Sequence, residues 1–111
     1  MKKIIPIMAA LLAPLALLAQ EKKRPYESGF DLPGSRAEVY KTIGDVKLMT
    51  YIYEPKGHKA GAKRPAIVFF FGGGWRGGTP RQFLEHCRYL ASKGMVAMTV
   101  DYRVSSRQGT K

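Results

Sequence analysis

At 111 residues the chain is long enough for one small domain at most, and its formal net charge of +11 makes it strongly basic. A single cysteine, Cys87, excludes an internal disulfide framework. The basic residues gather at Lys22, Lys23 and Arg24 and at Lys56, Lys59, Lys63 and Arg64, with no aromatic stacking platform among them, so they read as a solvated surface and no nucleic-acid partner is expected.

The chain opens Met1-Lys2-Lys3, runs almost purely apolar from Ile4 to Ala19, and turns polar at Gln20. A basic start, a short apolar stretch and a small terminal residue predict a signal peptide over 1–19, cleaved after Ala19. The stretch is short for a membrane span and is broken by Pro6 and Pro14, so no stable span is expected after cleavage. The mature chain is then periplasmic or extracellular, and without Lys2 and Lys3 it keeps 17 basic against 8 acidic residues, a net +9.

Residues 20–35, with Pro25, Gly29, Pro33 and Gly34, read as a linker or leading arm. From 36 to 55 two alternating runs flank Gly44-Asp45, the pattern of a β-hairpin with one better-buried face. A polar loop follows to Pro65. Ala66 to Phe71 is unbroken apolar sequence, too short for a helix, and predicts a central strand buried on both faces.

Beyond a glycine-rich loop, Thr79 is a helix cap, Pro80 suits the first helical position, and Gln82 completes a capping box with Thr79. Phe83, Leu84, Cys87, Leu90 and Ala91 form one apolar stripe at helical spacing, which makes Cys87 a core residue rather than a nucleophile. Gly94 stops the helix, and Met95 to Val100 is a second buried strand ending at Asp101-Tyr102-Arg103. Strand, helix, strand predicts a βαβ crossover in an α/β fold. The tail from Val104 to Lys111 is polar and stops without a closing element. Two strands buried on both faces need helices on both sides, and one helix is available, so the expectation is an incomplete sheet that is poorly soluble alone.

The stretch Ile67 to Pro80, "IVFFFGGGWRGGTP", fits three templates. Gly72, Gly77 and Thr79 sketch a phosphate-binding P-loop, but Gly78 stands where the lysine must be. Gly72, Gly74 and Gly77 spell the dinucleotide fingerprint, with Asp101 placed to meet a ribose, yet the helix cap comes only after the last glycine. The third template is an oxyanion loop, in which backbone N–H donors stabilise the negative oxygen of a tetrahedral acyl intermediate and glycines allow close approach. His58 and His86 offer no chelating geometry with Cys87, so no metal site is expected.

The loop together with "CRYLASKGMVAMTVDYRV" resembles the N-terminal third of α/β-hydrolase esterases and lipases related to hormone-sensitive lipase, especially secreted bacterial members with a Phe-Gly-Gly-Gly-Trp loop. The resemblance covers residues 36–111. It implies the N-terminal part of an α/β-hydrolase sheet and an oxyanion hole built from the N–H groups of Gly73 and Gly74, with Gly72 and Trp75 supporting the loop. Phe71 stands where that family usually has a histidine that holds the loop. Trp75 is expected to pack over the loop, and Asp101 to form a charge pair with Arg103 or strand-end hydrogen bonds. No serine here lies in G-x-S-x-G, so the resemblance places nucleophile, acid and histidine beyond Lys111 and predicts no catalytic side chain and no activity in this stretch alone. The implied function is that of a fragment of an exported serine carboxylesterase acting on small acyl, acetyl or polysaccharide esters without a cofactor. The alternative is a non-catalytic exported module whose basic surface binds an anionic partner.

Overall fold

The computed structural model describes residues 26, 27 and 29–110. The expected signal peptide over 1–19 lies outside the described residues. Five strands form one mixed sheet: β1 (Tyr26–Glu27), β2 (Arg36–Ile43), β3 (Val46–Tyr53), β4 (Ala66–Phe70) and β5 (Val96–Val100). The order runs β1-β3-β5-β4, with β2 also paired to β3.

The hairpin forms where the alternation and the Gly44-Asp45 turn place it, with Ile43 opposite Val46. Its burial differs from the expectation. A bulge between Val39 and Lys41 breaks the alternation of β2, and every β2 residue except Ile43 is exposed. β3 takes the buried role: Leu48, Tyr51, Ile52 and Tyr53 are all buried, and its C-terminal half pairs antiparallel with β5. The leading arm contributes β1, which pairs parallel with the start of β3, and Leu32, which joins the core.

β4 and β5 pair in parallel, joined through a 3₁₀ turn (Pro80–Phe83) and helix α1 (Leu84–Ser92). The predicted stripe on α1 meets the sheet. Cys87 is fully buried with Tyr51, Tyr53 and Ala97, and Phe83, Leu84, Leu90 and Ala91 pack around them. The Phe83 ring stacks on Phe69 at 4.6 Å between centroids, an offset-stacked contact that contributes about 1 kcal/mol beyond its buried area. Burial also pushes the Cys87 thiol up to about 11, so it stays protonated and unreactive near neutrality.

With one helix available, β4 does not reach burial on both faces. β4 is covered on one face only: Ile67 and Phe69 point into the core, while Val68 and Phe70 are exposed, Phe70 by 66 %. The single helix over this part of the sheet leaves its other face open. The tail carries structure of its own. Val104 is fully buried, and a short helix α2 (Ser105–Gln108) follows, ended by Gly109 in the left-handed region at φ 63°. Among the described residues no helix is long and apolar enough to cross a membrane.

Candidate functional site

The C-terminal end of β4 delivers the glycine loop. Phe71 anchors its entry: the ring is buried, stacks on Tyr102 at 4.0 Å, and the Tyr102 hydroxyl donates to the Phe71 carbonyl. The chain then turns sharply. The Arg76 N–H donates to the Gly73 carbonyl at 3.1 Å, and the two central residues, Gly74 and Trp75, both have positive φ (58° and 59°), as in a type I′ turn. A tryptophan in the left-handed region costs roughly 1 kcal/mol or more and persists only where its surroundings enforce it. Here Ser105 and Ser106 of α2 enforce it, donating their backbone N–H groups to the Trp75 and Arg76 carbonyls. Trp75 itself is 74 % exposed, so its side chain stands out from the loop and its bond to the scaffold runs through the backbone.

Two positions demand glycine. Gly73 has φ 140°, and a Cβ there would collide with the Gly77 carbonyl oxygen. Gly78 has φ 98°, and a Cβ there would collide with the Gly72 carbonyl oxygen and approach the Phe71 ring to 2.7 Å. The loop is thus folded flat on itself, Gly73 against Gly77 and Gly72 against Gly78, with no room for side chains between.

Gln82 holds the loop from behind. The capping-box spacing predicts that its side chain returns to the Thr79 N–H, but the structure corrects this: Gln82 Oε1 accepts from the Gly72 N–H at 2.8 Å. Thr79 does cap, its hydroxyl accepting from the Arg81 N–H, and the 3₁₀ first turn carries Gln82 to the glycine loop. With Gly72 so engaged, the N–H groups of Gly73 and Gly74 are left with no acceptor among the described residues. Both residues line a cleft of about 760 Å³ with Tyr40, Phe70, Trp75 and Arg103.

Asp101 is fully buried at the end of β5, and its charge partner comes from farther along the chain than Arg103. Of the two expected arrangements, the strand-end hydrogen bonds are present, the Asp101 N–H donating to the Met49 carbonyl at 2.9 Å; Arg103 is exposed at the cleft, and Asp101 Oδ1 accepts from Arg107 at 2.7 Å. Tyr40 donates from its hydroxyl to the Asp101 carbonyl, and burial, then the Asp101 charge, pushes that phenol above its ordinary range. Sequence reasoning missed Gln82 and Arg107 as loop residues. The capping-box spacing assigned Gln82 to Thr79, and the short α2 left no local pattern that marked Arg107.

The described serines show no nucleophile–base pair. Ser35, Ser92 and Ser105 donate to backbone carbonyls, and none of the described serines hydrogen-bonds a histidine. His86 sits beside the Phe69 and Phe83 rings, and among the described residues no three His, Cys, Asp or Glu side chains gather as a metal site.

Comparison with solved structures gives close matches. The chain is 52 % identical to the native form of esterase 2 from the planctomycete Thermogutta terrifontis, a thermophilic esterase, over 73 % of this chain and 29 % of that one, with a TM-score of 0.70. Against the propionate-bound form the identity is 49 %, the coverage 77 % and 31 %, and the TM-score 0.72. Against the form phosphorylated by paraoxon the values are 52 %, 73 % and 31 %, and 0.70. This chain therefore spans less than a third of the length of the esterase structures it matches. No family model and no curated protein matches the sequence.

Proposed function

We propose that this chain, which is part of an α/β-hydrolase of the esterase type, supplies the oxyanion-binding loop of a serine carboxylesterase that hydrolyses small acyl esters. One observation carries the reading: two adjacent backbone donors, Gly73 and Gly74, are left without acceptors beside a cleft, on a loop pinned from behind by Gln82 and α2. Acyl transfer builds negative charge on the former carbonyl oxygen, and fixed N–H dipoles stabilise it without reorganising at the moment of reaction. The Phe71 side chain cannot hydrogen-bond, and its ring acts as a packed anchor on Tyr102. The matched esterase has propionate- and butyrate-bound forms, which supports a short acyl chain as the substrate class. Its reaction with paraoxon supports attack by an activated nucleophile at an acyl-like centre.

A hybrid tests this directly. In it the present chain replaces the matching 29 % of Thermogutta terrifontis esterase 2. It is expected to hydrolyse p-nitrophenyl butyrate, while the 111-residue chain alone does not. A cooperatively folded hybrid without turnover, or turnover by the isolated chain, would contradict the proposal.

The basic start and apolar run from Ile4 to Ala19 support export as the setting for this activity. N-terminal sequencing of chain recovered outside the cytoplasm should begin at Gln20. An unprocessed chain confined to the cytoplasm would contradict export.

A further inference from the structure

We infer that Arg107 is the positioning residue of the glycine loop: a single guanidinium that fixes the loop's entry and exit together and so sets where Gly73 and Gly74 lie. This rests on the oxyanion reading above and names the device that holds that site. Five contacts converge on the Arg107 side chain, which is only 18 % exposed. It donates to Asp101 Oδ1 at 2.7 Å and to the Tyr102 carbonyl at 3.3 Å, tying it to the end of β5. It donates to the Gly78 carbonyl, the last residue of the loop. It also lies over the Phe71 ring, at the loop's entry, at 5.6 Å, and over Phe30 of the leading arm at 5.0 Å.

The consequence for Gly73 follows from close packing. The peptide after Gly77 is pressed against Gly73, and Gly78 against Gly72, so a shift of the Gly77–Gly78 segment displaces Gly73 directly and reaches Gly74 through the peptide that joins them. The planar fork of arginine meets a carboxylate and two carbonyls in fixed directions while its face stacks on rings. A lysine ammonium keeps the charge but cannot do both. The structure explains why the residue lies on α2: the Val104 N–H donates to Gln108 Oε1 and the Gly109 N–H to the Ser105 carbonyl, closing one turn that aims position 107 back at the loop.

The test uses the hybrid with Arg107→Lys and Arg107→Ala. Misplaced donors weaken transition-state stabilisation but not substrate binding, so Arg107→Lys should lower kcat about 10- to 100-fold with KM within about twofold. Added guanidinium at low millimolar concentration should restore part of the Arg107→Ala rate, whereas ammonium should not. Arg88→Ala, which removes only an exposed pair with Glu85, serves as the unchanged control. Wild-type kcat in Arg107→Lys overturns the proposal. So does a rate loss fully accounted for by the unfolded fraction, with the folded molecules turning over at the parent rate. If Gly73→Ala also keeps full rate, the oxyanion reading itself fails. If Gly73→Ala is inactive while Arg107→Lys is unaffected, only the role of Arg107 fails.

Discussion

Gly73→Ala in the hybrid is expected to lower kcat by about 10²- to 10³-fold, the usual effect of losing one oxyanion donor. At φ 140° an alanine is strained, and its Cβ would occupy the space of the Gly77 carbonyl oxygen, so the Gly73 N–H must move. KM should change little, because the donor acts on charge that exists only in the transition state. Gly74→Ala is the instructive partner. At φ 58° its Cβ meets nothing within 4 Å, so its smaller loss would report backbone preference alone. Steady-state kinetics on p-nitrophenyl butyrate decides between them. Equal, small effects at both positions would show that the packing of Gly73 on Gly77 does not set the donor.

The second large effect is on stability. Asp101→Ala leaves the Arg107 guanidinium without its carboxylate, and removal of one partner from a buried pair is strongly destabilising. Because Arg107 keeps some contact with water, the expected loss is near the lower end of the range, about 3 kcal/mol, read as a lowered urea midpoint of the hybrid. Asp101→Asn keeps an acceptor for Arg107 and should lose less. A shift under about 1 kcal/mol in Asp101→Ala would mean the pair contributes little beyond a surface bridge.

Those two positions also show what local sequence could and could not disclose. The hairpin, the Thr79 cap, the stripe around Cys87 and the paired strands were readable because periodicity and capping act over a few residues. The glycine loop was readable as a backbone device because no side chain fits where Gly73 and Gly78 sit. The partner of Asp101 was not readable. Arg103 is nearer in sequence, but only the turn of α2 brings Arg107 back to the carboxylate, and a four-residue helix leaves no periodic signature. Gln82 misled for a related reason. Its spacing from Thr79 satisfies the capping box, yet the Gly72 N–H, ten residues away, takes its carbonyl. The bulge at β2 likewise cancelled an alternation that looked half-buried. The exposed face of β4 follows from arithmetic the sequence did contain, since one helix cannot cover two faces of a sheet.

The most direct measurement is a crystal structure of the hybrid after reaction with paraoxon. The phosphoryl oxygen of that adduct stands in for the oxyanion of the tetrahedral intermediate. It should lie about 2.7–3.1 Å from the backbone nitrogens of both Gly73 and Gly74. An adduct whose phosphoryl oxygen is held by other groups, with both nitrogens beyond hydrogen-bonding distance, would show that this loop is not the oxyanion hole.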